Sequence, residues 1–407
     1  TLVLLGESGC GKSMIALSIM RLLPAVGRMV AGDIQLAGES LLALPEAMMR
    51  EVRGRRIGMI FQEPMTSLNP VMRVGDQIAE AVRLHDSEQA TRLPQRVIEL
   101  LQAVGIPDPA QRINEYPHQL SGGMKQRVMI AMALAGRPEI LIADEPTTAL
   151  DVTIQAQVLD LLKELQQEAG MGILLITHDL GIAAEMADRV AVMYAGQLVE
   201  VADVHDFFQQ AQHPYSRKLF RALPNTTNRS QELEVIPGMV PSLQQTFSRC
   251  RFIERCDEAL PACQHTLPPW QGKVAAGYRC HLIADRATLA VNPATSVQVA
   301  ETPVQATPLL QVENLQLYFP IRRGVLRRTV GHVKAVDGVS LQIAAGRTLA
   351  LVGESGCGKT TVGKAIMQLH KPTAGQVHFA GHPLVGNSQY LSQCRHELQM
   401  IFQDPAS

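Results

Sequence analysis

The chain lacks an excess of charge of either sign. Its 37 lysines and arginines almost balance its 38 aspartates and glutamates, which leaves a formal net charge of −1. Such a balance provides no overall basic field of the kind that draws proteins to nucleic acid or to an anionic membrane. We therefore expect no nucleic-acid partner.

Long hydrophobic runs and a signal sequence are also lacking. Hydrophobic residues make up 46% of the 407 residues, yet no uninterrupted apolar run reaches the roughly 18 residues that a membrane-spanning helix needs. The first residues do not show the charged-then-apolar pattern of a signal peptide. A transporter fused to its own membrane spans is thus excluded over these residues, and a cytosolic or peripheral protein is expected.

One glycine-rich pattern is present, and it occurs twice. Residues 6–13 read Gly-Glu-Ser-Gly-Cys-Gly-Lys-Ser, and residues 353–360 repeat this pattern with Thr at the last position. Four residues between two glycines, followed by Lys and Ser or Thr, predict a phosphate-binding loop when a strand precedes it and a helix follows. The apolar runs 2–5 and 349–352 predict these strands. Backbone N–H groups and a helix N-terminus would then converge on phosphate oxygens.

The repeat extends beyond the loops. Residues 31–38 parallel 374–381, and residues 59–64 parallel 400–405, so the sequence predicts two homologous domains. The chain starts at Thr1, inside the first predicted strand, and stops just after a copy of an internal motif. We expect from this a fragment of a longer protein.

Periodicity in the first copy predicts an α/β nucleotide-binding core. Short β-rich apolar runs at 140–143 and 171–176 indicate strands buried on both faces of a parallel sheet. Helices are predicted at 13–23 and 155–167, and a helical stretch at 74–104. This alternation of strands and helices is typical of α/β domains.

Polar groups follow several of these elements. Asp144 and Glu145 end a predicted buried strand, where ligands collect in open α/β sheets. Asp144 suits magnesium, and Glu145 suits orienting and deprotonating a water. Ser121 with two glycines opens a helix and indicates a second anion site, although by composition a simply capped helix fits equally well. His178 also follows a strand, where a structural histidine is the common alternative.

In this order, the motifs resemble the nucleotide-binding domain of ATP-binding cassette (ABC) proteins. The resemblance covers nearly all of residues 1–222 and also residues 309–407. It implies an α/β fold with two P-loop NTPase domains, each with a helical subdomain, the second truncated. The motifs are the phosphate loop, Gln62, the Leu-Ser-Gly-Gly stretch ending at Gly123, Asp144 with Glu145, the Ala-Leu-Asp ending at Asp151, and His178.

Three further stretches narrow the resemblance. Residues 61–70, 116–119 and 213–216 are similar to those of the ATPases of oligopeptide, dipeptide, glutathione and nickel importers. The tandem arrangement is similar to the fused ATPases of that group. Met124 stands where the superfamily usually has glutamine, and it is similar to the variant that the importer group carries.

The resemblance implies a role for each site residue. Glu145 would act on the attacking water, His178 would contact the γ-phosphate, and Gln62 would sense it. ATP-binding residues would be Gly6, Ser8, Gly9, Gly11, Lys12 and Ser13 in the first loop and Gly353, Ser355, Gly356, Gly358, Lys359, Thr360 and Thr361 in the second, together with Ser121, Gly122, Gly123, Asp151, Phe319 and Gln403. Magnesium would be held by Ser13, Asp144, Gln62 and Thr360.

Domains of this family pair head to tail around two nucleotides, and the resemblance therefore places Ser121, Gly122 and Gly123 in the site opposite their own loop. Phe319 would stack on adenine in the second copy. The first loop comes with its own carboxylates, but the signature helix that should face it would lie beyond Ser407. We therefore expect each of the two composite sites to be incomplete within these residues.

Four cysteines lie between the two copies. In a protein expected to be cytosolic, Cys250, Cys256, Cys263 and Cys280 indicate a thiolate cluster rather than disulfides. Their spacing is not the Cys-x-x-Cys of common zinc sites. They would hold zinc or an iron–sulfur cluster, or remain small reduced side chains. The resemblance favours a [4Fe-4S] cluster. The predicted division is a first cassette at 1–222, a cysteine-rich extension at 223–282, a linker at 283–308, and the start of a second cassette at 309–407.

The leading functional hypothesis is the energy-coupling ATPase of a membrane importer for peptides, with glutathione or nickel as further substrates. Its partners would be two integral-membrane permeases and an extracytoplasmic solute-binding protein, and it would lie at the cytoplasmic face of the inner membrane. The alternative is a soluble tandem-cassette ATPase acting in translation or DNA repair. The near-neutral charge and the cysteine-rich insertion count against that alternative.

Overall fold

The structure is a computed structural model. It describes residues 1–62, 67–85, 92–148, 150–222, 236–282, 308–323, 328–353, 356–386 and 388–402. Ser355, Gln403 and most of the predicted linker lie outside these residues. The chain divides into two compact units: Thr1–Leu150 with Ile154–Gln298, and Asp151–Thr153 with Val299–Ser407.

An eight-stranded sheet forms the centre of the first unit. Strands β4, β5, β6, β1 and β7 run parallel in that order, and β8, β10 and β9 continue the sheet in antiparallel fashion. A separate hairpin consists of β2 and β3. The strands are β1 Leu2–Leu5, β2 Gln35–Leu36, β3 Glu39–Ser40, β4 Ile57–Ile60, β5 Ile140–Asp144, β6 Gly172–Thr177, β7 Arg189–Tyr194, β8 Gln197–Asp203, β9 Trp270–Lys273 and β10 Ala276–Arg279.

Two hydrophobic clusters cover this sheet. Val3 and Leu5 belong to one cluster, whereas Leu4 belongs to the other. Successive side chains of a strand point to opposite faces, so β1 is buried on both sides. This placement explains why the run 2–5 is apolar at every position rather than at alternate ones.

Ten helices of the first unit are described. They are α1 Lys12–Ile19, α2 Glu46–Arg55, α3 Val74–His85, α4 Leu93–Ala103, α5 Pro109–Arg112, α6 Gly122–Ala133, α7 Val152–Ala169, α8 Leu180–Met186, α9 Val204–Gln210 and α10 Pro214–Arg221. Helix α1 ends earlier than predicted, because Arg21 adopts a left-handed backbone conformation (φ 51°). The predicted helical stretch 74–104 is two helices, α3 and α4.

The cysteine-rich segment joins the sheet of the first unit. Strand β10 pairs with β8 through Gly277 and Val201, and β9 pairs with β10. Two 3₁₀ turns, Ile253–Arg255 and Pro261–Gln264, precede this hairpin. The sequence did not predict that this segment would extend the sheet of the first copy.

The second unit contains an antiparallel sheet in the order β12-β11-β13-β14. Its elements are β11 Pro308–Arg323, β12 Arg328–Ala344, α11 Lys359–Ile366, β13 Ala374–Phe379, β14 His382–Pro383 and α12 Ser388–Cys394. Leu315, Val377 and Ala365 lie in its hydrophobic core. Helix α11 thus packs by its apolar face on the sheet.

The predicted strand at 349–352 is wrong. These residues form no strand, and Leu351 and Val352 are 47% and 84% exposed. In the first unit, β1 is hydrogen-bonded on both sides, by β6 and β7. Among the described residues of the second unit, no strand pairs with 349–352, and an apolar run without a hydrogen-bonding neighbour does not form a strand.

Of the helices in the described ranges, none is both long enough and apolar enough to cross a bilayer.

Candidate active site

The first phosphate loop links β1 to α1. Gly9 and Gly11 have φ values of 80° and 98°, which side chains other than glycine adopt only with strain. A Cβ on Gly6 would lie 2.3 Å from the carbonyl oxygen of Met193, so the neighbouring strand requires glycine there. Lys12 is only 5% exposed, and its Nζ donates to the carbonyl oxygens of Gly6 at 2.8 Å and Glu7 at 3.1 Å.

Asp144 is the last residue of β5 and is buried. Burial raises the pKa of its carboxyl group and the negative charge of Glu145 adds to this, whereas a hydrogen bond with Ser13 and the charge of Lys12 lower it. Its Oδ1 is buried without a hydrogen-bond partner. This carboxylate oxygen receives no hydrogen bond, and the Ser13 hydroxyl lies next to the same carboxylate. Oxygen atoms of these two kinds are ligands that Mg²⁺ accepts alongside phosphate oxygens and water.

Glu145 follows directly, with a left-handed backbone (φ 47°) that turns its side chain toward the loop. Gln62 Nε2 donates to its Oε2 at 3.1 Å, and Thr148 Oγ1 donates to the same oxygen at 2.9 Å. His178 Nδ1 lies 3.2 Å and Lys12 Nζ lies 3.9 Å from its Oε1. Four groups from separate parts of the sequence therefore surround one carboxylate.

These neighbours determine the charge state of Glu145. Burial raises the pKa of its carboxyl group, but the hydrogen bonds from Thr148 and His178 and the nearby charges of His178 and Lys12 outweigh burial. The net effect is a pKa below the ordinary value. Glu145 is therefore ionised at neutral pH and can accept a proton or orient a water molecule.

A cavity of about 330 Å³ opens beside this carboxylate. Its lining includes Gly6, Glu7 and Ser8 of the loop together with Glu145 and His178. The loop follows β1, Glu145 follows β5, and His178 follows β6, so the cavity lies at the carboxyl ends of three neighbouring parallel strands. Open α/β sheets bind their ligands at this edge.

Helix α6 begins at the predicted signature stretch. The Ser121 hydroxyl accepts the Met124 N–H at 3.3 Å, which confirms the predicted N-cap. A Cβ on Gly123 would lie 2.7 Å from Cγ2 of Ile154, whereas one on Gly122 would meet nothing within 4 Å. Packing against Ile154 therefore explains why residue 123 is glycine, whereas the position of Gly122 has room for a side chain. None of these three residues lines the cavity described above.

The second phosphate loop has the same local geometry where it is described. Gly356 and Gly358 have φ values of 82° and 99°, and Gly358 caps α11, which contains Thr360 and Thr361. Lys359 Nζ donates to the Gly353 carbonyl at 2.6 Å, as Lys12 does to Gly6. Phe319 is 40% exposed, and its ring meets the edge of His370 with the centroids 5.6 Å apart.

The four cysteines lie in one segment but do not form a metal site there. Burial, with a smaller contribution from the charges of neighbouring cysteines, raises the pKa values of Cys250 and Cys256 to about 11 and also raises that of Cys280. Within the described ranges, no group of three or more His, Cys, Asp or Glu side chains is arranged to hold a metal ion. This arrangement does not support the expected cluster.

Two contacts to the site were not predicted from the sequence. Thr148 donates a hydrogen bond to Glu145. The sequence could have indicated this contact, because Thr148 lies only three residues after Glu145. Arg255 donates to both carboxylate oxygens of Glu7 from 248 residues away. A contact of that sequence separation leaves no periodic signal, so only the fold reveals it.

The comparisons with known proteins agree with this geometry. The family model described as "ABC transporter" matches residues 1–148 and 336–407. The chain therefore belongs to the ABC transporter family, whose ATP-binding proteins hydrolyse ATP. A solved dimeric ATP-binding cassette, in a post-hydrolysis state with ADP and phosphate, is 27% identical with a TM-score of 0.44 and covers 50% of this chain and 84% of its own.

Further matches assign the chain to one group within the ABC transporter family. A second model, "Oligopeptide/dipeptide transporter, C-terminal region", matches residues 199–263. The chain is 41% identical, over 99% of its length, to the oligopeptide transport ATP-binding protein OppD of Mycobacterium tuberculosis, and 43% identical, over its whole length, to the glutathione import ATP-binding protein GsiA of Escherichia coli. It spans 67% and 59% of these two relatives. The chain is an ATP-binding protein of the oligopeptide and glutathione importer type.

Proposed function

We propose that this chain is the ATP-hydrolysing, energy-coupling subunit of a membrane importer for peptides. The observation that carries the proposal is the convergence of Lys12, Gln62 and His178 on the Glu145 carboxylate beside the phosphate loop. The printed names of the relatives, for oligopeptide transport and glutathione import, support the importer assignment. Dipeptides and oligopeptides are the proposed substrates, with glutathione and nickel as the next candidates.

The groups that contact Glu145 are of the kinds that also bind the oxygens of a γ-phosphate. Lys12 carries a positive charge, and Gln62 and His178 offer polar groups. Incoming phosphate oxygens would compete with the carboxylate for these partners. Binding of ATP would thus free Glu145 to accept a hydrogen bond from the attacking water. Catalysis in this class of reaction is mostly positioning and charge stabilisation.

Magnesium fits the remaining groups. The Ser13 hydroxyl and the buried Asp144 carboxylate would hold it, with Gln62 close by and Thr360 in the corresponding position of the second loop. When bound, Mg²⁺ neutralises charge that develops on the phosphates. Such an ion keeps waters and phosphate oxygens as ligands, and it therefore needs no three-residue cluster of protein side chains.

Two phosphate loops in one chain support a tandem arrangement of cassettes. In this proposal the cassettes pair head to tail, and the exposed N-terminus of α6, with Ser121, Gly122 and Gly123, completes the opposite nucleotide site. Asp151 would also bind ATP. Phe319 would stack on the adenine of the second site, and Gln403 would have the role of Gln62 there.

The partners in this proposal are two permeases and a solute-binding protein. The chain would lie at the cytoplasmic face of the inner membrane, with Gln62 reporting the γ-phosphate to the permeases. Co-purification with the permeases and peptide-stimulated ATPase activity test this assignment, with Glu145→Gln as the inactive control. Recovery of the protein with ribosomes, without permeases, would instead support a translation factor.

We also propose, separately from the ATPase activity, that the four cysteines bind a metal cofactor. A [4Fe-4S] cluster or zinc at Cys250, Cys256, Cys263 and Cys280 would require the thiols to deprotonate and rearrange. Metal analysis and visible absorption of anaerobically purified protein provide the test. Protein free of both iron and zinc would leave the four cysteines as reduced side chains that bind no metal.

A further inference from the structure

The phosphate loop contains a carboxylate that the phosphate chemistry does not use. Glu7 lies between Gly6 and Ser8, and all three residues line the cavity. A negative charge at this position opposes the binding of a triphosphate, because like charges repel strongly where the protein partly excludes water. The loop therefore requires a group that neutralises Glu7 or turns it away.

Arg255 of the cysteine-rich segment supplies that group. Its Nη1 donates to Glu7 Oε1 and its Nη2 donates to Glu7 Oε2, both at 3.0 Å. This two-pronged geometry is the strong form of the arginine–carboxylate pair. Arg255 is only 6% exposed and the Glu7 side chain is 29% exposed, and the pair is therefore partly shielded from solvent and salt.

Arg255 is itself held in one orientation. Its Nε donates to the carbonyl oxygen of Pro237 at 2.8 Å, and its Nη1 lies 3.4 Å from the Tyr194 hydroxyl. The guanidinium carbon is 5.7 Å from the centre of the Tyr194 ring. Because the planar guanidinium group is restrained on several edges, it presents a fixed pair of donors to Glu7.

The same segment also holds the backbone of the loop. Phe252 packs against Tyr194 and Tyr215, with ring centroids 5.1 and 5.4 Å apart. The Tyr215 hydroxyl in turn accepts the Glu7 N–H at 3.1 Å. Both the side chain and the backbone of Glu7 are thus restrained from outside the loop.

We propose that Arg255 is a positioning residue for ATP binding at the Lys12 site. It neutralises Glu7, which would otherwise repel the phosphates that the loop N–H groups receive. The cysteine-rich segment is therefore part of the first nucleotide site rather than an appendage to it. This inference rests on the proposed function, since it requires ATP to bind at this loop.

Equilibrium binding of Mg-ATP tests the inference, in a Lys359→Ala background that leaves the first site to be measured. Arg255→Gln is expected to weaken binding about tenfold, because it leaves Glu7 unpaired. Glu7→Gln is expected to bind at least as tightly as the parent. The double variant should recover to within about threefold of the parent. A purely structural role of Arg255, through Pro237 and Tyr194, would not be rescued by changing Glu7.

Arg249→Gln is the matched control, since it removes an exposed pair with Glu254 in the same segment and should leave binding unchanged. If Arg255→Gln fails to fold, Glu7→Gln alone decides, and a tenfold loss in that variant overturns the inference. Equal binding by the parent and Arg255→Gln overturns it as well. If the parent binds no more ATP than its Lys12→Ala variant, the proposed function fails, and this inference fails with it.

Discussion

At the scale of single residues, Glu145 connects the groups that the sequence scatters over more than a hundred positions. Gln62, Thr148 and His178 each bond to it, and Lys12 lies within ion-pair distance. Its lowered pKa follows from these partners rather than from exposure. Lys12 and Glu145 therefore have separable roles, because one attracts phosphate and the other acts on water.

Removing these two side chains should separate binding from turnover. Lys12→Ala is expected to weaken ATP binding at the first site, since the loop loses its cation. Glu145→Gln, in a form of the protein that hydrolyses ATP, should keep binding and lose about 10²–10³ in rate. Binding and turnover assays measure both. Glu185→Gln, which changes an exposed glutamate paired with Lys163, is the matched control. Equal loss of binding in the Lys12 and Glu145 variants would contradict the assigned roles.

His213 gives a prediction on pH. Burial lowers the pKa of its imidazole to about 3, and the charge of Arg217 acts in the same direction. Its Nδ1 accepts the Tyr215 N–H, so the folded state needs the neutral ring. Below about pH 6.5 the imidazole of His213 is protonated in the unfolded chain but stays neutral in the folded chain until the pH approaches 3. Stability should therefore fall as pH drops from about 6.5 to about 3, by up to about 1.4 kcal/mol per pH unit.

Urea unfolding at pH 7.5 and pH 5.5 measures this effect. Trp270 is the single tryptophan and lies on β9, and its fluorescence therefore follows the first unit. His213→Asn, which keeps an acceptor at the helix N-terminus, should lose part of the pH dependence. His205→Asn, at an exposed position of α9, should retain all of it. An unchanged pH dependence in His213→Asn would rule out this origin.

At the scale of elements, hydrogen-bonding neighbours decide whether an apolar run becomes a strand. The run 2–5 is β1 because β6 and β7 pair with it on either side. The run 349–352 has nearly the same composition and forms no strand in the described second unit. Local sequence predicts the phosphate-loop turn correctly in both copies, since Gly11 and Gly358 adopt the same left-handed conformation.

The two glycines at the start of α6 should respond differently to alanine. Gly123→Ala puts a Cβ 2.7 Å from Ile154 Cγ2, and the expected loss of unfolding free energy is about 1–3 kcal/mol. Gly122→Ala meets open space and should be neutral or stabilising by up to about 1 kcal/mol. Urea unfolding followed by Trp270 fluorescence compares them. The prediction fails if both variants lose stability equally.

At the scale of the whole molecule, the two units carry unequal sets of motifs. The 407 residues include two phosphate loops but one Leu-Ser-Gly-Gly stretch and one Asp-Glu pair at the end of a strand. If the cassettes pair head to tail as proposed, neither nucleotide is enclosed by a full set of groups from this chain. The missing donors would then limit turnover rather than nucleotide binding.

We compare these 407 residues with a longer chain that has a second signature stretch and a second pair of carboxylates. The 407 residues alone are expected to hydrolyse ATP at least about 10²-fold more slowly, because each missing transition-state donor costs about that factor. Steady-state ATPase assays on both proteins, at equal concentration of Lys12 sites, measure the difference. Comparable turnover would contradict the proposed pairing. The Glu145→Gln variants show the background rate.

The sequence by itself determined the local chemistry of this protein. The short-range patterns are the glycine spacing, the lysine and hydroxyl residues that follow it, and the buried strands that lead to Asp144 and to His178. Each reflects backbone geometry or burial within a few residues. They were sufficient for the α/β class of the first unit. The Ser121 cap was predictable for the same reason.

Only the tertiary structure decided which of these groups meet and what supports them. The ring of partners around Glu145, the pairing of β10 with β8, and the Arg255–Glu7 contact all join residues far apart in sequence. The same holds for the exposed run 349–352 and for the four cysteines that form no metal site among the described residues. Contacts of this kind depend on how whole elements pack, and packing leaves no short-range pattern from which to predict them.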